Sequence, residues 1–176
     1  MKEHKIILTG TMGAGKTTAI AAVSEIEPIV TDVVNNDTSV DKSMTTVGFD
    51  YGLVTLDSGD RIRLFGTPGQ ERFRFMWPVI ARGAMGLIIL LDNSRPSPLA
   101  DLQVYLDGFA AELTTMPCVI GIGRTETHPM PGIDEVAEAL VQRGDMFPIV
   151  AVDVRRREDV VLLLDVLLTQ METDLL

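Results

Sequence analysis

Residues 47–73 read "VGFDYGLVTLDSGDRIRLFGTPGQERF". Two apolar runs suited to strands, 47–56 and 61–65, flank the short connection "LDSGDR" at 56–61. So short a connection has no room for the crossover that parallel strands need, so the two runs pair as an antiparallel hairpin. The second run stops at Gly66, and the turn Thr67-Pro68-Gly69-Gln70-Glu71 follows it. Further strand candidates lie at 5–9, 85–92, 118–122 and 148–152, separated by longer helix-like segments. That alternation specifies a parallel sheet covered by helices on both faces. The expected architecture is therefore α/β, a mostly parallel six-stranded sheet with one antiparallel edge strand.

The 176 residues suit one domain spanning 1–176, and a hydrophobic content of 46% supplies its core. Acidic side chains outnumber basic ones 25 to 15, and the net charge of −10 argues against a nucleic-acid-binding surface. The single cysteine, Cys118, lies in the apolar run "MPCVIGIG" and reads as a buried small hydrophobe in a reducing compartment. No stretch approaches the roughly 18 apolar residues of a membrane span. The N-terminal "MKEHKIILTG" is too weakly apolar for a signal peptide, Lys2 excludes myristoylation, and "METDLL" offers no cysteine for prenylation. A cytoplasmic protein is expected.

In the last segment Val160, Leu163, Leu164, Leu167, Leu168 and Met171 share one helix face, which should pack on the sheet. Leu162 and Val166 point away from it and are candidates for a contact surface.

"GTMGAGKT", Gly10 to Thr17, matches Gly-x4-Gly-Lys-Ser/Thr between a strand and a helix. Such glycines let backbone N–H groups curl around phosphate, and the helix N-terminus adds positive potential. Lys16 reaches the outer phosphates, and the Thr17 hydroxyl can bind magnesium. The nucleotide-binding residues expected here are Gly10, Met12, Gly13, Ala14, Gly15, Lys16, Thr17 and Thr18. "GTMGAGKTT" looks like the loop of shikimate-type kinases, but those have an all-parallel core that the hairpin opposes. With the hairpin and "GTPGQE", the chain resembles, over its whole length, the Ras-like small GTPases. It looks closest to the bacterial "GTPGQ" and motility-type members, the conservon- and gliding-type small GTP-binding proteins. That resemblance implies a phosphate-loop NTPase fold with strand order 2-3-1-4-5-6 and strand 2 antiparallel.

The resemblance also implies roles. "TTVGFD", 45–50, resembles switch I, in which Thr46, or alternatively Thr45, would ligate magnesium and sense the γ-phosphate. Gly69 would offer its N–H to that phosphate, and Gln70 would orient the attacking water. The aspartate that ordinarily opens this motif is absent, and Gly66 stands in its place. Asp92, at the end of "LIILLD", is a candidate to steady the phosphate-loop region or a water near the ion; Asp32 and Asp37 are further acids. "GIGRTETHP" replaces the guanine-reading Asn-Lys-x-Asp, putting Gly123 where the asparagine would tie this loop to the phosphate loop. The Glu126 carboxylate suits guanine N1–H and the exocyclic amine, and Arg124 could cover the base. Val154 and Arg155 lie where the base would be touched by backbone. Three successive arginines from Arg155 onward could be a kinase lid, but the preferred reading is a helix N-terminus whose dipole Glu158 and Asp159 complement.

Phe73, Phe75, Met76 and Trp77 follow the turn and suggest a nucleotide-gated partner surface. In the proteins this resembles, the partner is often a roadblock-type dimer. For a basic finger, Lys42 and Arg82 are the nearest candidates; His4 and His128 have no partner at useful spacing. The functional expectation is a GTP/GDP-binding, magnesium-dependent molecular switch with slow GTP hydrolysis. Two alternatives stay open: a non-hydrolysing nucleotide-binding interaction module, and an ATP-dependent small-molecule kinase.

Overall fold

The computed structural model describes residues 1–34 and 46–173, with the side chains of 30–34, 46–48 and 173 outside the description. Thr45, Asp37 and Lys42 fall outside it, as do the side chains of Asp32 and Thr46. Seven strands form one sheet: β1 (Glu3–Gly10), β2 (Ile29–Val34), β3 (Thr46–Thr55), β4 (Arg61–Gly66), β5 (Gly86–Asp92), β6 (Cys118–Gly123) and β7 (Ile149–Ala151). Their spatial order is β2-β3-β4-β1-β5-β6-β7. Strand β1 lies parallel to β4 and β5, β6 continues parallel to β5, and β7 parallel to β6. β3 and β4 are antiparallel, closed by Leu56 N–H donating to the Asp60 carbonyl at 2.8 Å.

Counted without β2, the strands run 2-3-1-4-5-6 with strand 2 antiparallel, as the sequence leads one to expect. β2 is the addition: it pairs antiparallel with β3 and becomes the sheet edge. Its segment "IVTDVV" falls in the expected loop after the first helix, yet every residue but Asp32 is β-branched and suits a strand.

Helices cover both faces. Helix α1 (Lys16–Val23) and α5 (Arg157–Thr173) pack on one face, where Ile6, Leu8, Ile88, Leu90 and Val119 meet Ile20, Val160, Leu163 and Leu167. On the other, Ile7, Leu87, Ile89, Leu91, Cys118 and Ile120 meet α2 (Trp77–Ala81), α3 (Pro98–Gly108) and α4 (Ile133–Arg143). Side chains in β1, β5 and β6 thus alternate between two cores, the period-two signature of strands buried on both faces. Burial pushes the Cys118 thiol far above its usual range. On α5, Leu162 is exposed, whereas Val166 is partly buried against the first core.

The aromatic run after β4 divides the same way. A 3-10 turn (Glu71–Met76) leads into α2; Phe73 and Trp77 are buried, Met76 is partly buried, and only Phe75 of the four is well exposed. Trp77 stacks on Tyr105 and Phe109 with centroids 4.8 and 5.4 Å away, so it belongs to the core and not to a partner surface. Trp77→Ala should lower stability by about 3–5 kcal/mol, measured by denaturant unfolding, because it empties a fully buried aromatic site.

Candidate functional site

Strands β1, β4, β5 and β6 are mutually parallel, so their C-terminal ends bring Gly10, Gly66, Asp92 and Gly123 to one edge of the sheet. Beyond this edge, where open α/β sheets bind ligands, lies a cleft of about 760 Å³. At its centre the chain turns from β1 into α1. Gly15 caps the helix at φ +100°, and a β-carbon there would sit 2.6 Å from the Val154 Cγ2, so the left-handed turn and the packing both require glycine. Lys16 is buried under the loop, and its Nζ donates to the Gly10 and Thr11 carbonyls at 2.7 and 2.8 Å. Burial lowers its pKa to about 8, opposed by the nearby Asp50 carboxylate, so the ammonium stays mostly charged at neutral pH. The loop N–H groups, the α1 N-terminus and this charge make an anion cradle.

The Gly69 turn closes one side. A β-carbon at Gly69 would lie 2.6 Å from Met12 N and 2.8 Å from Lys16 Nζ, an approach only glycine permits. The turn is pinned from below: the Trp77 indole N–H donates to the Pro68 carbonyl and the Tyr105 hydroxyl to the Gly69 carbonyl, both at 3.4 Å. Gln70 points its amide toward the Met12 Sδ, 3.6 Å away. Thr17 and Thr18 line the cleft floor, and the Thr17 hydroxyl donates to Asp50 Oδ2 at 2.5 Å. These two are hard oxygen donors side by side, which suits the magnesium ion that the fold family implies. Thr46 opens β3 opposite Val34.

At the far end of the cleft stand Arg124, Glu126, Val154 and Arg155. Arg124 adopts φ +62°, rare for a side chain of its size, and this points the guanidinium back across the sheet edge. Its Nε pairs with the buried Asp92 at 3.0 Å and its other nitrogen donates to the Gly13 carbonyl at 3.1 Å. Asp92 also accepts from the Ser94 N–H and hydroxyl. Gly123 therefore leaves no gap: Arg124 ties the loop to the phosphate loop, and Asp92 acts through Arg124. Arg155 is bound to Asp153 at 2.6 Å, and its hydrogen bonds lower the Asp153 pKa to about 2. Arg82 caps α2 just before β5 begins, at the edge opposite the cleft, which removes it as a finger. Arg95, held by Asp101, lies instead beside Gln70.

Sequence reasoning missed Asp50, Asn93 and Tyr105. Asn93 anchors the loop after β6 by donating to the His128 and Pro131 carbonyls. Only Asp50 carried a usable signal: counting back from the hairpin turn sets it opposite Gly66.

The strand order, the loop between β1 and α1, and the Gly-Gln turn after β4 define a phosphate-loop fold of the Ras-like type. No protein-family model matches the chain. The chain is 30% identical over 105 residues to Ras-related protein RABE1d of Arabidopsis thaliana, covering 58% of this chain and 44% of that protein. With GTP-binding protein ypt2 of Schizosaccharomyces pombe it shares 35% over 104 residues, 57% and 46% of the two chains. An uncharacterized protein of Methanocaldococcus jannaschii, MJ1339, is 30% identical over 102 residues, 58% and 59% of the two. The chain thus spans about half the length of the curated relatives it matches. This likeness supports kinship with the Ras-like superfamily.

Asp92→Ala should cost about 1–3 kcal/mol in denaturant unfolding and speed hydrogen exchange in 124–131, because Ser94 and Arg124 both lose their acceptor.

Proposed function

We propose that the chain is a small GTP-binding protein, a nucleotide-dependent switch with slow GTP hydrolysis. The observation that carries this reading is the buried Lys16 ammonium inside a loop of backbone donors, with the Gly69 turn in contact with it. Similarity to a protein named GTP-binding protein ypt2 supports the same class. Gly10, Met12, Gly13, Ala14, Gly15, Lys16, Thr17 and Thr18 would cradle the phosphates, with Thr46 and Gly69 sensing the terminal one. Glu126 would accept the guanine N1–H and amine, its carboxylate repelling the N1 lone pair of adenine; Arg124, Val154 and Arg155 would border the base. Magnesium would be held by Thr17 and Thr46, where it supplies charge neutralisation for the phosphates.

Gln70 would position the attacking water by hydrogen bonding, contributing orientation and not basicity. The proposal extends to a cytoplasmic, single-domain protein of the bacterial "GTPGQ" type. Its regulatory partner, roadblock-type by resemblance, would meet the turn after β4 through Phe75 and the neighbouring exposed Val79. No helix among the described residues is long and apolar enough to cross a membrane.

One observation favours the non-hydrolysing alternative: Gly66 offers no side chain where the resemblance implies an acid. The antiparallel β3–β4 pair speaks against the small-molecule kinase.

Calorimetry with GTP, GDP and ATP, followed by phosphate release, tests the reading. GTP and GDP should bind in preference to ATP, with slow release from GTP; a preference for ATP returns the kinase, and binding without release leaves the interaction module. Lys16→Ala should abolish binding. Gln70→Leu should slow release while affinity stays near wild type, and an unaltered rate removes Gln70 from the chemistry.

A further inference from the structure

Beside the cleft lies a second cavity of about 220 Å³, between the Gly69 turn and α3. Met12 and Gly69 line both spaces, so the second adjoins the phosphate end of the cleft across a shared wall. Gln70 borders it from the turn, and Arg95, Asp101 and Tyr105 border it from the α3 side. Gln70 is poorly held there. Its amide nitrogen reaches the Met12 Sδ at 3.6 Å, a weak acceptor, and among the described residues its amide oxygen has no hydrogen-bond partner. A glutamine that orients water works by geometry, so it needs a donor to fix that oxygen.

Arg95 is the only base among the described residues lining this cavity. Its backbone is fixed: the N–H donates to the Asp92 carbonyl at 3.2 Å in the turn leaving β5, and Pro96 follows. The side chain is held separately, by Asp101 in the first turn of α3. Nε and a terminal nitrogen donate to its two carboxylate oxygens at 2.5 and 3.2 Å. The two side chains are 40% and 20% exposed, a setting in which ion pairs hold weakly. Glu71, next to Gln70 and lining the same cavity, presents a competing carboxylate on the turn. Neighbouring cations are committed elsewhere: Lys16 to loop carbonyls, Arg124 to Asp92 and Gly13, Arg72 and Arg74 to the rings of Phe73 and Trp77.

We propose that Arg95 positions Gln70: released from Asp101, its guanidinium crosses the cavity and donates to the Gln70 amide oxygen. The second lone pair of that oxygen is left for the attacking water. Asp101 is then a restraint on hydrolysis, and Arg95 acts through Gln70 without touching phosphate. The inference rests on the hydrolysing form of the reading above.

The test is single-turnover phosphate release from GTP-loaded protein in wild type, Arg95→Ala, Asp101→Asn and the double variant. Calorimetry gives GTP affinity, and thermal unfolding is the folding control. Arg95→Ala should slow release by about 10-fold through loss of alignment. Asp101→Asn should speed it by about 2- to 5-fold, the hold that a half-exposed ion pair exerts. The double variant should match Arg95→Ala, because Asp101 matters only through Arg95. GTP affinity should stay at the wild-type value in all three.

An ion pair that only steadies the start of α3 would be lost equally from either side. Rates that stay unaltered, or fall together in both single variants, overturn the assignment. Should Arg95→Ala not fold, Asp101→Asn alone carries the test: faster release supports the assignment and an unchanged rate overturns it. A chain that binds GTP but releases no phosphate, in wild type and Asp101→Asn alike, overturns this inference and leaves nucleotide binding standing. A chain that binds no GTP overturns both.

Discussion

Strand β1 has both edges paired and both faces buried, and everything at the site hangs from that confinement. Parallel pairing to β4 on one side and β5 on the other fixes how far each strand reaches toward the cleft. Leu8 sits opposite Gly66, and Gly10 opposite Leu90, so the phosphate loop leaves the sheet between two strand ends at known heights. Side chains of Ile6, Ile7 and Leu8 are fully or almost fully buried, which makes a shift of register costly on two faces at once. The cleft inherits its precision from this arrangement.

Two positions at the edge of the cleft are glycine, and at each a neighbour's side chain reaches in from elsewhere. At Gly123 the tie to the phosphate loop comes from the next residue, Arg124, with a buried carboxylate on the adjoining strand to hold it. At Gly66 the Asp50 carboxylate of the paired strand occupies the space beside the glycine. An arginine in a left-handed turn is strained, and two polar contacts hold it there.

The sequence made the fold legible where spacing was decisive. A turn too short for a crossover forces the hairpin, and apolar runs at strand length fill in the sheet. Strand β2 escaped because "IVTDVV" carries an acid at its middle and lies where a loop is expected. The phosphate loop was readable because its chemistry is contiguous, whereas Asp50, Asn93 and Tyr105 act on residues far away in the chain. The aromatic run misled for a related reason: a string of large side chains says nothing about which face the turn presents, and the Trp77 stack on α3 decides that. Similarly, Val166 lies off the helix's main apolar stripe, yet the wrap of the first core still reaches it.

The pinned turn has an optical consequence. Trp77 is the only tryptophan in the chain, and its indole N–H is bonded to the carbonyl of Pro68, the residue before Gly69. Its ring lies against two aromatic rings of the second core. The emitting group and the turn that closes one side of the cleft are therefore the same mechanical unit. Any rearrangement of Pro68 and Gly69 alters the hydrogen bond and the stacking of this indole together, so the protein carries a built-in fluorophore reporting on its own turn.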